Sequence, residues 1–182
     1  MPLMKNRLSG FTLIELLVTI AIAAVLASLA VPSFRTQLVK RSVQAAADTF
    51  VADMRYARSV AIERSARVSV CRSSNGTGCS GAGGVWKDGW IVFVDGNGNG
   101  AFDAGDEIVR VQQSFPAILS MQNDPMSDLS KFVFQPIGYA KASSQTFLIT
   151  PGGSGGASFA RVVCVSNQGR AGLRPEGVIA CS

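Results

Sequence analysis

Apolar and polar positions along this chain change rhythm twice. From Phe11 to Val31 the residues are apolar or small for 21 positions, and Glu15 is the only charge among them. At about 1.5 Å of rise per residue, a helix of that length matches the hydrocarbon core of a bilayer. From Val39 the pattern becomes amphipathic. Val39, Val43, Ala46, Ala47, Phe50, Val51, Met54, Ala57 and Ala61 recur at spacings of three and four, with Lys40, Arg41, Gln44, Asp48, Arg55 and Glu63 mostly elsewhere on the wheel. The pattern predicts one helix from about Thr12 to about Glu63, kinked or locally loosened at Pro32. Its second half, 32–65, packs an apolar stripe on a sheet. Asp48, Asp53 and Glu63, sharing that stretch with Arg55, Arg58 and Arg64, read as surface ion pairs of small individual worth.

Beyond residue 65 the period falls to two. Strands are predicted at 66–71, 89–94, 107–113, 116–122, 131–136, 145–150 and 160–166, with a turn and a short strand in 168–181. Trp90-Ile91-Val92-Phe93-Val94 is the most β-prone run and is placed centrally, with 107–113 pairing back on it. Gly-rich loops lie at 72–84 and 151–156. The expected class is α+β: a long N-terminal helix followed by an antiparallel sheet domain over 66–182.

The apolar run admits three readings. A cleaved secretory signal has a small-x-small end at Ser28-Leu29-Ala30, but such apolar regions are shorter and carry no acid. A passive anchor explains the length but not Glu15, because a carboxylate at a helix centre in a bilayer costs about 2.5–3.5 kcal/mol unpaired. The third rests on Gly10-Phe11-Thr12-Leu13-Ile14-Glu15, which resembles the type III signal of type IV pilins and type II secretion pseudopilins. That resemblance implies a leader of residues 1–10, cut between Gly10 and Phe11 by a prepilin peptidase that then methylates the Phe11 amine. It also implies a filament-core helix over 11–31. Glu15 would meet the N-terminal amine of a neighbouring pilin, where a costly lone charge becomes a register device.

Further along, Ala57-Arg58-Ser59-Val60-Ala61-Ile62 before a strand ending in Cys71, and Gly89-Trp90-Ile91-Val92-Phe93-Val94-Asp95-Gly96-Asn97-Gly98-Asn99-Gly100, resemble the GspH/FimT family of minor pseudopilins. The family implies a type IV pilin-like fold. It also implies assembly with other pilins or pseudopilins at or near a filament tip, in a type II secretion system or a type IV pilus. Lys5 and Arg7 ahead of the run place that end in the cytoplasm, the helix in the inner membrane and the sheet domain in the periplasm.

Composition adds bounds. Apolar residues make up 47% of the 182, enough for a real core. Without residues 1–10, which hold Lys5, Arg7 and no acid, 15 basic residues stand against 12 acidic ones, a mild excess that proves no nucleic-acid partner. The chain has no histidine, so the usual general base and imidazole metal sites are absent. With no phosphate loop and no G-x-S-x-G element either, catalysis is not expected. Four cysteines, Cys71, Cys79, Cys164 and Cys181, all follow the anchor, where an oxidising compartment favours disulfides. They allow three pairings; the sequence-local one is Cys71–Cys79 with Cys164–Cys181. Zinc is the rival, without CxxC spacing or histidine to support it.

Two stretches hold candidate chemistry. Asp95, Asn97, Asn99, Asp103 and Asp106 fall at positions 1, 3, 5, 9 and 12 of a loop with Gly100 at position 6, the spacing of a calcium-binding EF-hand loop. Position 12 is Asp rather than the bidentate Glu, and strands flank the loop; the alternative is a plain hairpin turn, where Asn, Gly and Asp are favoured. The second stretch is Gly169-Arg170-Ala171-Gly172-Leu173-Arg174. It resembles, with altered spacing, a Gly-Arg-x-Arg element that contributes to DNA binding in some FimT-type minor pilins. Arg161, Arg170 and Arg174 would supply phosphate contacts along one face. The alternative is a solvated hairpin, and the lack of aromatic residues between Gln168 and Cys181 leaves base stacking unsupported.

Overall fold

A computed structural model describes residues 11–80, 85–123, 129–140, 144–152 and 156–181. The leader 1–10, with Gly10, lies outside the described residues. The chain divides into two compact units, Met1–Leu38 and Val39–Ser182.

Helix α1 runs Leu13–Glu63. Thr12 caps it: its Oγ1 accepts the Glu15 N–H at 3.3 Å, and its carbonyl accepts the Leu16 N–H at 3.2 Å. Helical backbone continues through Pro32, since a proline removes one N–H from the ladder and need not end a helix. In the first unit the apolar side chains from Leu13 to Leu26 are exposed, and this part of the helix is long and apolar enough to cross a membrane. In the second unit the stripe Val43, Ala46, Ala47, Phe50, Val51, Met54, Ala57, Val60 and Ala61 is buried.

Among the described residues eight strands follow: β1 (Val68–Arg72), β2 (Trp90–Val94), β3 (Glu107–Gln112), β4 (Ile118–Asn123), β5 (Lys131–Phe134), β6 (Gln145–Pro151), β7 (Arg161–Val165) and β8 (Ala171–Leu173). They match the expected segments to within two residues at nearly every end. They form two four-stranded antiparallel sheets rather than one, ordered β3-β2-β1-β5 and β4-β6-β7-β8. Strand β2 is interior, and β3 pairs back on it from Trp90↔Gln112 to Val94↔Glu107.

The helix stripe and the facing sides of both sheets share one core. Phe50 sits at its centre, with ring centroids 5.6 Å from Trp86, 5.3 Å from Trp90 and 4.8 Å from Phe147. Strand β1 is buried on both faces. Val68 and Val70 meet this core, while Cys71 joins Ile91 and Phe93 in a smaller cluster on the other side. Each disulfide closes a short loop, Cys71–Cys79 behind β1 and Cys164–Cys181 between β7 and the C-terminal segment.

Asp53 departs from its expected place. It is 2% exposed, inside the helix stripe rather than among surface ion pairs. Its carboxylate accepts the Trp90 indole N–H at 2.9 Å and an Arg110 N–H at 2.5 Å. Arg110 in turn lies 4.3 Å from the Tyr56 ring centroid. One buried acid thus ties α1 to β2 and β3. A helical wheel drawn without the sheet cannot show this, because the partners are 37 and 57 residues away.

Candidate functional site

The first candidate site is the start of α1. Phe11 is 75% exposed, and Glu15 sits in the first helical turn, where a carboxylate is favoured by the aligned peptide dipoles. The Thr12 cap orients that turn, so Glu15 stands alone among exposed apolar side chains such as Leu13, Ile14, Leu16 and Leu17. Hydrophobic periodicity does not single out Thr12; its signature is Thr-x-x-Glu ahead of an apolar run.

The second is the turn after β2. Asp95 is 1% exposed and saturated by donors: Oδ2 accepts Ser69 Oγ–H at 2.6 Å and Gly100 N–H at 2.8 Å, and Oδ1 accepts Gly98 N–H at 2.6 Å. Asp106 accepts N–H bonds from Gly96 at 3.1 Å and Asp103 at 2.9 Å. Asp103 accepts the side-chain amides of Asn97 at 3.0 Å and Asn99 at 2.7 Å, and these two bonds hold its carboxyl below the ordinary aspartate value. Asn97 and Asn99 accept from the backbone two residues on, at 2.9 and 2.6 Å. The turn therefore closes on its own donors. Among the described residues no three His, Cys, Asp or Glu side chains are grouped to hold a metal ion. Gly98 and Gly100, both at φ +73°, meet Arg67 and Lys131 so closely that a Cβ would lie 2.3 and 2.6 Å from their side chains.

The third is the arginine hairpin. Strand β8 pairs with β7 through Cys164↔Gly172, the Arg174 N–H donates to Val162 C=O at 2.9 Å, and the Ser166 N–H donates to Arg170 C=O at 2.9 Å. Alternation puts Arg170, Gly172 and Arg174 on one side, with Cys164 opposite Gly172. They line a groove of about 530 Å³ with Ser166, Asn167 and Gln168, and no acidic or aromatic side chain is among its lining residues. Arg170 donates to the Gln168 side-chain oxygen. Arg161 does not belong to this groove. It shares the alternate set of β7 with the core residues Val163 and Val165, and its guanidinium lies 3.9 Å from Glu176 in a different groove. The expected single face of three arginines is therefore a pair, Arg170 and Arg174, with Arg161 elsewhere: strand parity, not sequence proximity, sorts them.

Known proteins place this geometry. Residues 5–31 match the prokaryotic N-terminal methylation motif, and residues 46–169 match the family described as type II transport protein GspH. The pilin-like protein PilA1 of Thermus thermophilus is 30% identical over 168 residues, covering 90% of this chain and 97% of that protein. The type IV minor pilin FimU of Pseudomonas aeruginosa superposes with a TM-score of 0.58 at 21% identity, over 76% of this chain and 92% of FimU. The type II secretion minor pseudopilin EpsH of Vibrio cholerae superposes with a TM-score of 0.52 at 12% identity, over 75% of this chain and 99% of EpsH. At those identities the two structures establish a shared fold. With the methylation motif running into the apolar helix and the family match covering the second half of α1 and strands β1 to β7, the chain belongs to the GspH family of pilin-like proteins.

Proposed function

We propose that this chain is a minor pilin or pseudopilin that assembles into a type II secretion pseudopilus or a type IV pilus. A prepilin peptidase would remove residues 1–10 and methylate Phe11. The anchor would hold the protein in the inner membrane, with the sheet domain in the periplasm, until it joins other pilins. The observation that carries this reading is the first half of α1. Its described apolar side chains are exposed, with Leu13 77% and Ile14 66%, and it holds a single acid at the first turn. A lipid-facing helix has no use for that acid, a charged group among apolar side chains that is costly in hydrocarbon unless paired. A helix that leaves the bilayer to pack on its neighbours does, because pairing Glu15 with a neighbour's N-terminal amine turns the cost into register. Glu15→Ala tests it: insertion and cleavage continue, while incorporation into filaments is lost. Wild-type incorporation would refute the assignment.

A second reading is DNA capture during uptake. The arginine groove favours it, with two guanidinium groups and no acidic side chain among its lining residues. Phosphate contacts predict that Arg170→Ala with Arg174→Ala weakens duplex binding, and that the wild-type affinity falls with salt by a slope of about two counterions. Unchanged binding ends this reading. The Asp95–Asp106 turn is read as a structural element of a non-enzymatic protein. Calorimetry with millimolar calcium is expected to give no saturable heat; a saturable one with a gain in melting temperature would convert the turn into a cation site.

A further inference from the structure

We propose that the groove between α1 and the start of β7 is a binding site for a phosphate-type oxyanion. Six residues from four segments line it: Lys40, Arg41 and Gln44 of α1, Phe159 of the 3-10 turn Gly156–Phe159, Arg161 at the start of β7, and Glu176 of the C-terminal segment. The volume is about 240 Å³, several times the ~30 Å³ that one water occupies in the liquid. That is room for a phosphate group with part of its hydration shell.

Charge decides the ligand class. Three cations face one carboxylate, which leaves an excess of two positive charges. Glu176 neutralises neither neighbour closely. It stands 3.8 Å from Lys40 Nζ and 3.9 Å from an Arg161 terminal nitrogen, beyond hydrogen-bond range, and its side chain is 61% exposed. Arg161 is held in place by its strand, with its side chain 19% exposed, and its buried Nε has no hydrogen-bond partner among the described residues. Lys40 Nζ lies 5.2 Å from the Phe159 ring centroid, so the ring forms an apolar wall beneath an ammonium. A carboxylate ligand would leave one positive charge over. A phosphate group at neutral pH carries about −1.5 to −2 and offers three acceptor oxygens, which match the residual charge of the lining and the donors of Arg161, Lys40 and Arg41, while the Gln44 amide already donates to Asp48, outside the lining, at 3.0 Å. Glu176 then acts as a loose internal competitor, displaced when the oxyanion enters.

The same chemistry is presented by a free phosphate and by a phosphomonoester lipid headgroup, and one experiment separates them. The full chain is purified in maltoside micelles, which hold no phosphate, and titrated with inorganic phosphate by calorimetry at constant ionic strength set with chloride. Saturable binding is expected. Arg161→Gln and Lys40→Gln should each weaken it by about tenfold, the worth of one charged hydrogen bond. Glu176→Gln should tighten it about threefold by removing the competitor. That opposite sign protects the test if Arg161→Gln folds poorly, because Glu176 and Lys40 are exposed. Repeating the titration in micelles doped with phosphatidic acid supports a headgroup as the source if the phosphate heat disappears, and a free oxyanion if it persists. No saturable heat over the chloride control, or a Glu176→Gln affinity equal to or weaker than wild type, overturns the proposal.

Discussion

The Asp53–Arg110 pair makes an asymmetric prediction. Asp53 is 3% exposed at the side chain and carries two donors, while Arg110 is 43% exposed and can return to water. Arg110→Ala strips a nearly buried carboxylate of its counter-charge and removes the guanidinium from the Tyr56 face. Breaking a buried pair from one side costs about 3–5 kcal/mol, and since water reaches the Arg110 side we expect the low end, about 3 kcal/mol. Asp53→Asn keeps an acceptor for the Trp90 N–H and removes the charge that needs a partner, so it should cost about 1 kcal/mol. The double variant should then be more stable than Arg110→Ala alone by about 1–2 kcal/mol, a coupling visible only in a double-mutant cycle. Urea unfolding of the full chain in micelles, followed by tryptophan fluorescence, reads this out. The chain has two tryptophans, Trp86 and Trp90, and both are buried in the core beside Phe50. Additive costs, or an Arg110→Ala penalty below about 0.5 kcal/mol, would show that Asp53 is not a paired buried charge.

Three further outcomes are expected. Replacing Cys164 and Cys181 by Ser opens a loop with a sequence separation of 17 and should cost about 3 kcal/mol in urea unfolding; the Cys71–Cys79 pair, with a separation of 8, should cost about 2.5 kcal/mol. Gly169, at φ +70°, has the Gly138 carbonyl oxygen 2.4 Å from where a Cβ would sit, so Gly169→Ala should destabilise by at least about 2 kcal/mol while Gly172→Ala, in open space, stays within about 1 kcal/mol in the same assay. Because the folded Asp103 carboxyl lies below its ordinary value of 3.8, its stabilising contribution is present above that pH and lost as pH falls through the lowered folded value. Asp103→Asn should remove this acid-side dependence, measured as the difference in melting temperature between pH 6 and pH 2.5 against wild type.

Much of this molecule follows from local rules that act without the rest of the chain. Twenty-one positions with one charge specify a membrane-length helix whatever the domain does, and the change from period 3.6 to period 2 near residue 65 separates helix from strands. Asn, Gly and Asp crowded after Val94 favour a turn because they tolerate the required backbone angles, and four cysteines beyond the anchor allow three pairings, of which the sequence-local one forms. What no local rule carries is partnership at a distance. Eight strands of similar pattern do not say that β4 leaves its chain neighbours to join β6 in a second sheet; that is set by which arrangement buries Met121 and Phe147 against Phe50 and the helix. Asp53 reads as a surface acid until Trp90 and Arg110 arrive from strands far along the chain. The three arginines read as one basic face until the pleat of β7 and β8 turns Arg161 toward Lys40 and Glu176 and leaves Arg170 and Arg174 in a separate groove. Periodicity assigns a residue to a side of its own element. Only the packed sheets decide what stands on that side, and hence which charges meet.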